Sequence, residues 1–196
     1  MSLVEGLIRE LQRLPGVGPK SARRMAFHLL VRDRDGARQL ASIVSEAADR
    51  VGHCSLCRNL TEHEICGTCA SAERDGGQLC VVESAADVQA IESAAEYRGR
   101  YFVLMGHFSP LDGIGPEELG MDQLEARLDS GEVKELILAT NATLEGNVTA
   151  QYIAGLAEPR GISVTRIAHG VPMGGELEFV DGQTLRTAFN SRRGLE

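Results

Sequence analysis

No apolar run in these 196 residues approaches the roughly 20 that a membrane span requires. The stretch Met1 to Arg13 mixes charges into an amphipathic pattern and does not read as a secretory signal. Without export there is no oxidising compartment in which five cysteines would pair as disulfides. The expectation is therefore a soluble protein of a reducing cytoplasm, in which the Asn-x-Thr triplets at Asn59, Asn141 and Asn147 are chance matches to a glycosylation signal. Positive charge is also short. Lys and Arg number 20 against 28 Asp and Glu, a net −8 that taken as a sum reads against a nucleic-acid binder. The deficit is uneven: Met1 to Arg32 holds six basic and two acidic residues, which is +4, and leaves −12 on the rest. A basic head on an acidic body can hold an anion at one end and a different partner at the other.

Four of the five cysteines lie in one stretch, Cys54-Ser-Leu-Cys57, eight residues, then Cys66-Gly-Thr-Cys69. A Cys-x-x-Cys pair sets two thiolates on one tight turn, and two such pairs close a four-thiolate cage suited to zinc. Four protein ligands leave no open position for water or substrate, so the site is structural. A thioredoxin-like redox pair needs only one Cys-x-x-Cys, placed between a strand and a helix. His53 and His63 are bystanders beside four thiolates, and Gly67 stands where a turn with positive φ would need it. Cys80 falls within an apolar strand and reads as a core thiol.

Before the cysteines, Leu3, Leu7, Ile8, Leu11 and Leu14 recur at helical spacing. Pro15-Gly16-Val17-Gly18-Pro19 breaks that helix, and a second begins near Lys20 with Ala22, Met25, Ala26, Leu29 and Leu30 on one face. In this helix-hairpin-helix unit, Gly16 and Gly18 permit close backbone approach, and the free amides opening the second helix suit a phosphate. Lys20 and Arg24 lie about 40° apart around the helix, roughly opposite its apolar face, with Arg23 at the flank. Cations beside such a hairpin are what sequence-independent DNA binding requires; the other reading is a tight turn beside a solvated basic face. Gly-Val-Gly-Pro-Lys-Ser lacks the glycine before lysine and the preceding strand of a nucleotide P-loop. A third helix over 36–51, with Leu40, Ile43, Val44, Ala47, Ala48 and Val51 in register, ends at Gly52.

After Gly76-Gly77 strands alternate with helices: strands at 79–83, 101–105, 135–139 and 163–168, helices at 86–96, 121–129 and 148–157, and loops at 106–120 and 141–147. That alternation predicts a parallel, buried sheet. The working crevice of such a sheet lies beyond the carboxyl ends of its strands. Glu83 stands at one such end, and the loop Asn141 to Asn147, with Glu145, just past another. Two acids there could hold magnesium; equally, Thr143 and Glu145 are residues that favour a helix N-terminus. The tail predicts a strand over 177–180 and a short helix from Asp181, and it returns to its own sheet or reaches a neighbouring subunit.

Several blocks occur in a fixed order: Leu-Pro-Gly-Val-Gly-Pro-Lys-Ser-Ala at 14–22, the four cysteines, and Cys-Val-Val-Glu at 80–83. They continue with Ser-Pro-Leu-Asp-Gly-Ile-Gly-Pro at 109–116, Leu-Ala-Thr-Asn at 138–141 and Ile-Ala-His-Gly-Val-Pro-Met-Gly-Gly at 167–175. The set resembles the RecR family of bacterial recombination mediators over nearly the whole chain. The resemblance implies an α/β fold with an N-terminal helical domain: helix-hairpin-helix at 1–52, zinc knuckle at 53–76, Toprim-type parallel sheet at 77–168 and C-terminal assembly tail at 169–196. It implies Cys54, Cys57, Cys66 and Cys69 as zinc ligands. Lys20 and Arg24 match DNA-contacting positions, with Arg23, Gly16 and Gly18 beside them. Glu83 and Glu145 match the Toprim acids, which serve partner and DNA interactions.

The implied function is a non-enzymatic mediator, assembled through dimers into a ring-like tetramer. It binds gapped, single- or double-stranded DNA and acts with RecO and RecF. It helps RecA load on DNA covered by single-strand binding protein. The alternative is a Toprim-type metal-dependent DNA-cleaving enzyme. The family motif reads Asn-Pro-Thr-x-Glu-Gly and then an acid, where this chain has Ala142 and Asn147. Asn147 removes a charge, and an amide binds a hard cation more weakly than a carboxylate, so magnesium at the Toprim site is doubtful. A topoisomerase would also need a positioned tyrosine, and the resemblance supplies none at Tyr97, Tyr101 or Tyr152.

Overall fold

The computed structural model describes residues 2–94 and 96–192 and divides into two compact units, 1–51 and 52–196. The end of the expected 86–96 helix at Ala95, and the last four residues of the tail, lie outside the described residues.

The first unit is helical. Helix α1 (Leu3–Leu11) opens with a capping box in which Ser2 and Glu5 satisfy each other's backbone amides. The chain turns through Pro15-Gly16, where Gly16 takes φ +78°, into α2 (Pro19–Val31). Only Gly16 of the hairpin glycines needs the left-handed region; Gly18 is the extended N-cap of α2, a conformation any residue adopts. Asp33 caps α3 (Arg34–Arg50) by accepting from the Gly36 amide, so this helix starts two residues earlier than its apolar spacing implied. Among the described residues of this unit only Ala22 and Ala26 are buried, on the face of α2 the periodicity marked out. Leu40, Ile43 and Val44 keep the expected helical spacing on α3, yet all three are exposed.

In the second unit a hairpin of β1 (Gly52–His53) and β2 (Leu60–Thr61), with the one-turn helix α4 (Gly67–Ala70), frames the cysteines. The α/β region follows as β3 (Asp75–Val82), α5 (Ala85–Ala94), β4 (Gly99–Val103), α6 (Met121–Asp129), β5 (Glu135–Ala139), α7 (Leu144–Ala157) and β6 (Ser163–Arg166). The four long strands are all parallel, in the order β4-β3-β5-β6. Side chains alternate across this sheet. Leu79 and Val81 join Leu124, Leu128 and Ile153 in the core beneath α6 and α7, while Cys80 and Val82 pack with Val88, Tyr101 and Val103 on the α5 side. Burial on both faces is why the second half of β3 and most of β5 read as continuous apolar runs, while the edge strand β6 does not.

Two expectations need correction. Helix α7 begins at Leu144, so Glu145 and Asn147 stand in its first turn; Thr143 caps it by accepting from the Gly146 amide, which ends the loop early. Residues 177–179 form a single 3-10 turn where a strand was expected, and its Leu177 and Phe179 are exposed. The segment belongs to neither sheet among the described residues. Helix α8 (Gly182–Asn190) does follow Asp181, whose carboxylate accepts from the amides of Gln183 and Thr184.

A zinc knuckle and a Toprim crevice

The four expected thiols meet. Cys54, Cys57, Cys66 and Cys69 are all buried, and their sulfurs lie within 4.8 Å of one another. A tetrahedral zinc with sulfurs about 2.3 Å away holds them roughly 3.8 Å apart, so this cage needs only slight contraction. Cys57 and Cys66 already stand at 3.5 Å. The Cys66 amide donates to Cys54 Sγ, 3.3 Å away, which ties the two cysteine pairs together. The Cys69 thiol is held down to about 6, first by its hydrogen bond with Cys57, then by Cys66, Cys54 and the Arg127 charge, against the effect of burial. Cys57 is pushed up by that same bond and by burial, and Cys66 chiefly by burial. The donor set fits a structural zinc ion, whose charge would stabilise all four thiolates at once.

Local folding sets these sulfurs differently from the expectation at Gly67. Cys66 is the N-cap of α4, so Gly67 is helical and the second Cys-x-x-Cys is simply one turn. The left-handed residue of the knuckle is Arg58, at φ +63°, directly after the first pair. Its guanidinium reaches into the α/β region. It donates to the carbonyls of Leu119 and Glu118, the latter at 3.0 Å, and lies 5.9 Å from the Phe102 ring centroid. The Val103 amide donates 2.8 Å to the Cys57 carbonyl, which docks the knuckle on β4. Arg58 was not singled out from sequence, since nothing in its spacing distinguishes it from any other surface arginine.

The second site is at the carboxyl ends of β3 and β5. The chain runs from β3 outward to β4 and then returns to β5 on the other side of β3, so the direction reverses here, and such a reversal leaves a crevice. Glu83 caps β3 and is buried. Its Oε1 accepts from the Asn141 backbone amide at 2.8 Å, and its Oε2 from the Asn141 side-chain amide at 2.6 Å, with His107 Nδ1 at 3.3 Å. Gly146 lies beneath this pair: a Cβ there would stand 2.2 Å from the Asn141 carbonyl oxygen and 2.9 Å from Glu83 Oε1. Asn147 turns its Oδ1 to Arg166, whose Nη1 donates at 2.6 Å; Arg166 Nη2 reaches the Asn141 carbonyl at 3.4 Å.

Glu145 is exposed, and its carboxylate forms no hydrogen bond or ion pair among the described residues. The structure thus links Glu83 and Asn147 through Asn141 and Arg166, and leaves the Glu145 carboxylate outside that network. Among the described residues the cysteines are the one group of three or more acidic, histidine or cysteine side chains close enough to share a metal. Asn141, His107 and Arg166 were missed as site residues. Asn141 carried a signal, because a polar residue at a strand's carboxyl end is placed to bind; His107 and Arg166 lie far along the chain and carried none.

On the helical unit, Lys20, Arg23 and Arg24 are all exposed on α2, and none is in an ion pair among the described residues. No side chain caps this helix, and Pro19 at its first position brings no amide.

A buried four-thiolate cage, hydrogen-bonded to a small parallel sheet with an acid at its reversal point, defines a zinc-knuckle Toprim protein. Four family models match along the chain: RecR helix-hairpin-helix at 4–48, the RecR four-cysteine zinc finger domain at 51–71, Toprim domain at 77–168, and RecR C-terminal at 170–193. A relative from Halorhodospira halophila (strain DSM 244 / SL1), Recombination protein RecR, is 62% identical over 190 residues, covering 97% of this chain and 94% of the relative. The chain belongs to the RecR family of recombination proteins, and its knuckle is a structural zinc site.

Proposed function

We propose that this protein is a non-enzymatic, DNA-binding recombination mediator that acts with RecO and RecF and helps RecA load on gapped or single-strand-binding-protein-coated DNA. The observation that carries the reading is the free cationic face of α2, with Lys20, Arg23 and Arg24 exposed beside an uncapped helix N-terminus and a glycine turn. Such a face takes phosphates without reading bases. One copy offers few phosphate contacts, and several copies on one DNA multiply them through effective concentration. Homo-oligomerisation supplies the copies, and the exposed Leu40, Ile43 and Val44 on α3 form an apolar face suited to a second copy. No helix among the described residues is long and apolar enough to cross a membrane, which is compatible with a cytoplasmic DNA-repair role.

The crevice supports a non-enzymatic reading in a specific way. Glu83 accepts from Asn141 at both oxygens and Asn147 Oδ1 accepts from Arg166, so these polar groups are held to one another, and only Glu145 has a carboxylate outside that network. The test is binding to gapped DNA across a salt series. The Lys20→Ala, Arg24→Ala double variant is expected to bind more weakly and to lower the slope of log K against log salt by about 1 to 2. Unchanged binding in that variant removes the hairpin assignment. Magnesium-dependent cutting of gapped DNA that is lost in Glu145→Ala establishes the enzyme alternative instead.

A further inference from the structure

Between the end of β6, the first turn of α7 and the tail helix α8 lies a cavity of about 380 Å³ whose polar lining is Asn147, Arg166, His169, Gln183, Thr187 and Ser191. It adjoins a larger one of about 720 Å³ that shares His169, Gln183 and Thr187. Two of the four buried side-chain polar atoms without a hydrogen-bond partner among the described residues belong to this lining: Arg166 Nε and His169 Nε2. A buried polar atom left unmet is costly, and two on one cavity, the Arg166 Nε–H donor and a ring nitrogen of His169, call for a common partner.

The charge balance says what kind. Arg166 donates only to neutral acceptors, the Asn147 amide oxygen, the Asn141 carbonyl and the Thr140 hydroxyl, and no carboxylate pairs with it among the described residues. No acid lines the smaller cavity. The nearest acid on the adjoining one, Asp181, already accepts from two amides and the Thr184 hydroxyl. A half-buried guanidinium with no counter-charge, an imidazole with an open nitrogen, and the Gln183 amide and Ser191 hydroxyl on the same wall offer donors to an oxyanion from several directions. Guanidinium geometry suits phosphate in particular.

We propose that this cavity binds a phosphate group, with Arg166 and His169 as its principal donors. Asn147 is what keeps it open to an anion: a carboxylate at that position would pair with Arg166 and fill the cavity with negative charge. None of the cations of α2 is among its donors, and the phosphate can come from DNA or from a small phosphorylated molecule.

The test is titration of the full-length, zinc-loaded protein with inorganic phosphate, followed by NMR at the Arg166 Nε–H and His169 ring signals. A saturable shift is expected with a dissociation constant of about millimolar or tighter, and none with chloride at equal ionic strength. His169→Ala and Asn147→Asp should each weaken binding about tenfold, with unchanged melting showing that both remain folded. The Lys20→Ala, Arg24→Ala variant should bind phosphate as well as the parent. No saturable shift, or equal affinity in His169→Ala and Asn147→Asp, overturns the proposal. So does loss of phosphate binding in the α2 variant, which would place the anion on the hairpin. Displacement of phosphate by 5′-phosphorylated gapped DNA assigns the site to DNA; retention of phosphate alongside bound DNA assigns it to a small phosphorylated molecule, and both outcomes support the cavity.

Discussion

Gly146 shows how little freedom the crevice has at the level of single residues. A methyl group there would overlap the Asn141 carbonyl and press on Glu83. Gly146→Ala should therefore destabilise the protein by roughly 2 to 4 kcal/mol, because the clash is with backbone and with a buried carboxylate that cannot move without losing its partners. Thermal melting checks this, and a shift of under a degree would show that the loop yields easily. Arg58 is a second such residue, because one side chain satisfies two carbonyls of the segment before α6 while its own backbone sits in the left-handed region. Arg58→Ala should cost about 1 to 3 kcal/mol and speed zinc loss to a chelator, since the knuckle then hangs on the remaining backbone bonds. Zinc release at the parent rate would show that Arg58 does not hold the cage.

Among the secondary-structure elements, the knuckle and the sheet have different sources of stability. Strands β3 and β5 are buried on both faces, whereas the hairpin β1–β2 has two residues per strand and almost no apolar burial. Zinc removal should abolish hydrogen-exchange protection at the amides of Cys54, Ser55, Arg58 and Cys66, and leave that of β3 and β5 in place. Equal protection with and without the metal would contradict this. A polar bridge ties the start of β3 to α5 and β4: Arg74 Nη1 donates to Glu92 at 2.8 Å, and the Tyr101 hydroxyl to the same carboxylate at 2.6 Å. Arg74 first, against the effect of burial, holds the Glu92 carboxyl below its ordinary range. A depressed carboxyl stabilises the fold above its unfolded pKa, and that contribution disappears as pH falls through the folded value. The melting gap between the parent and Glu92→Gln should thus be widest near neutrality and close below about pH 4. A gap that is flat with pH rules the bridge out as its source.

What the sequence disclosed about these elements depended on local signals. Helix α6 and strand β5 have the bounds their apolar pattern indicates, and the cysteine spacing marked all four ligands of the cage. The start of α7 was misplaced because Glu145-Gly146-Asn147 carries no apolar residue, and only the Thr143 cap declares the helix there. The residues that complete the crevice were hidden for a different reason. His107 and Arg166 lie 24 and 83 positions from Glu83, and only the parallel crossovers bring Asn141, and with it Arg166, to the same strand ends. Residues 177–180, Leu-Glu-Phe-Val, were read as a strand but pair with none among the described residues.

The whole molecule combines a basic helical head with an acidic remainder, a division of +4 and −12. Repulsion by the remainder should confine DNA to the α2 face, so affinity ought to depend steeply on how many copies act together. Ile43→Glu with Val44→Glu introduces charge on the exposed face of α3 without touching a buried side chain. The expected outcome is a smaller species by light scattering and a drop in affinity for gapped DNA of about tenfold or more, with melting little changed. An unaltered mass places the contact between copies elsewhere on the chain.

The fifth cysteine bears on how such a protein withstands oxidants. Cys80 is sealed into β3, and burial pushes its thiol up to about 12, so it is protonated and out of reach at neutral pH. Every thiol that a mild electrophile can reach on the folded chain should therefore be one the metal has let go. A colorimetric thiol count on the native protein then reports zinc occupancy directly, near zero when loaded and near four when stripped. In a cell the same arrangement concentrates oxidative damage in the knuckle and spares the sheet: a peroxide that ejects the ion would link or oxidise its ligands before it touched the core.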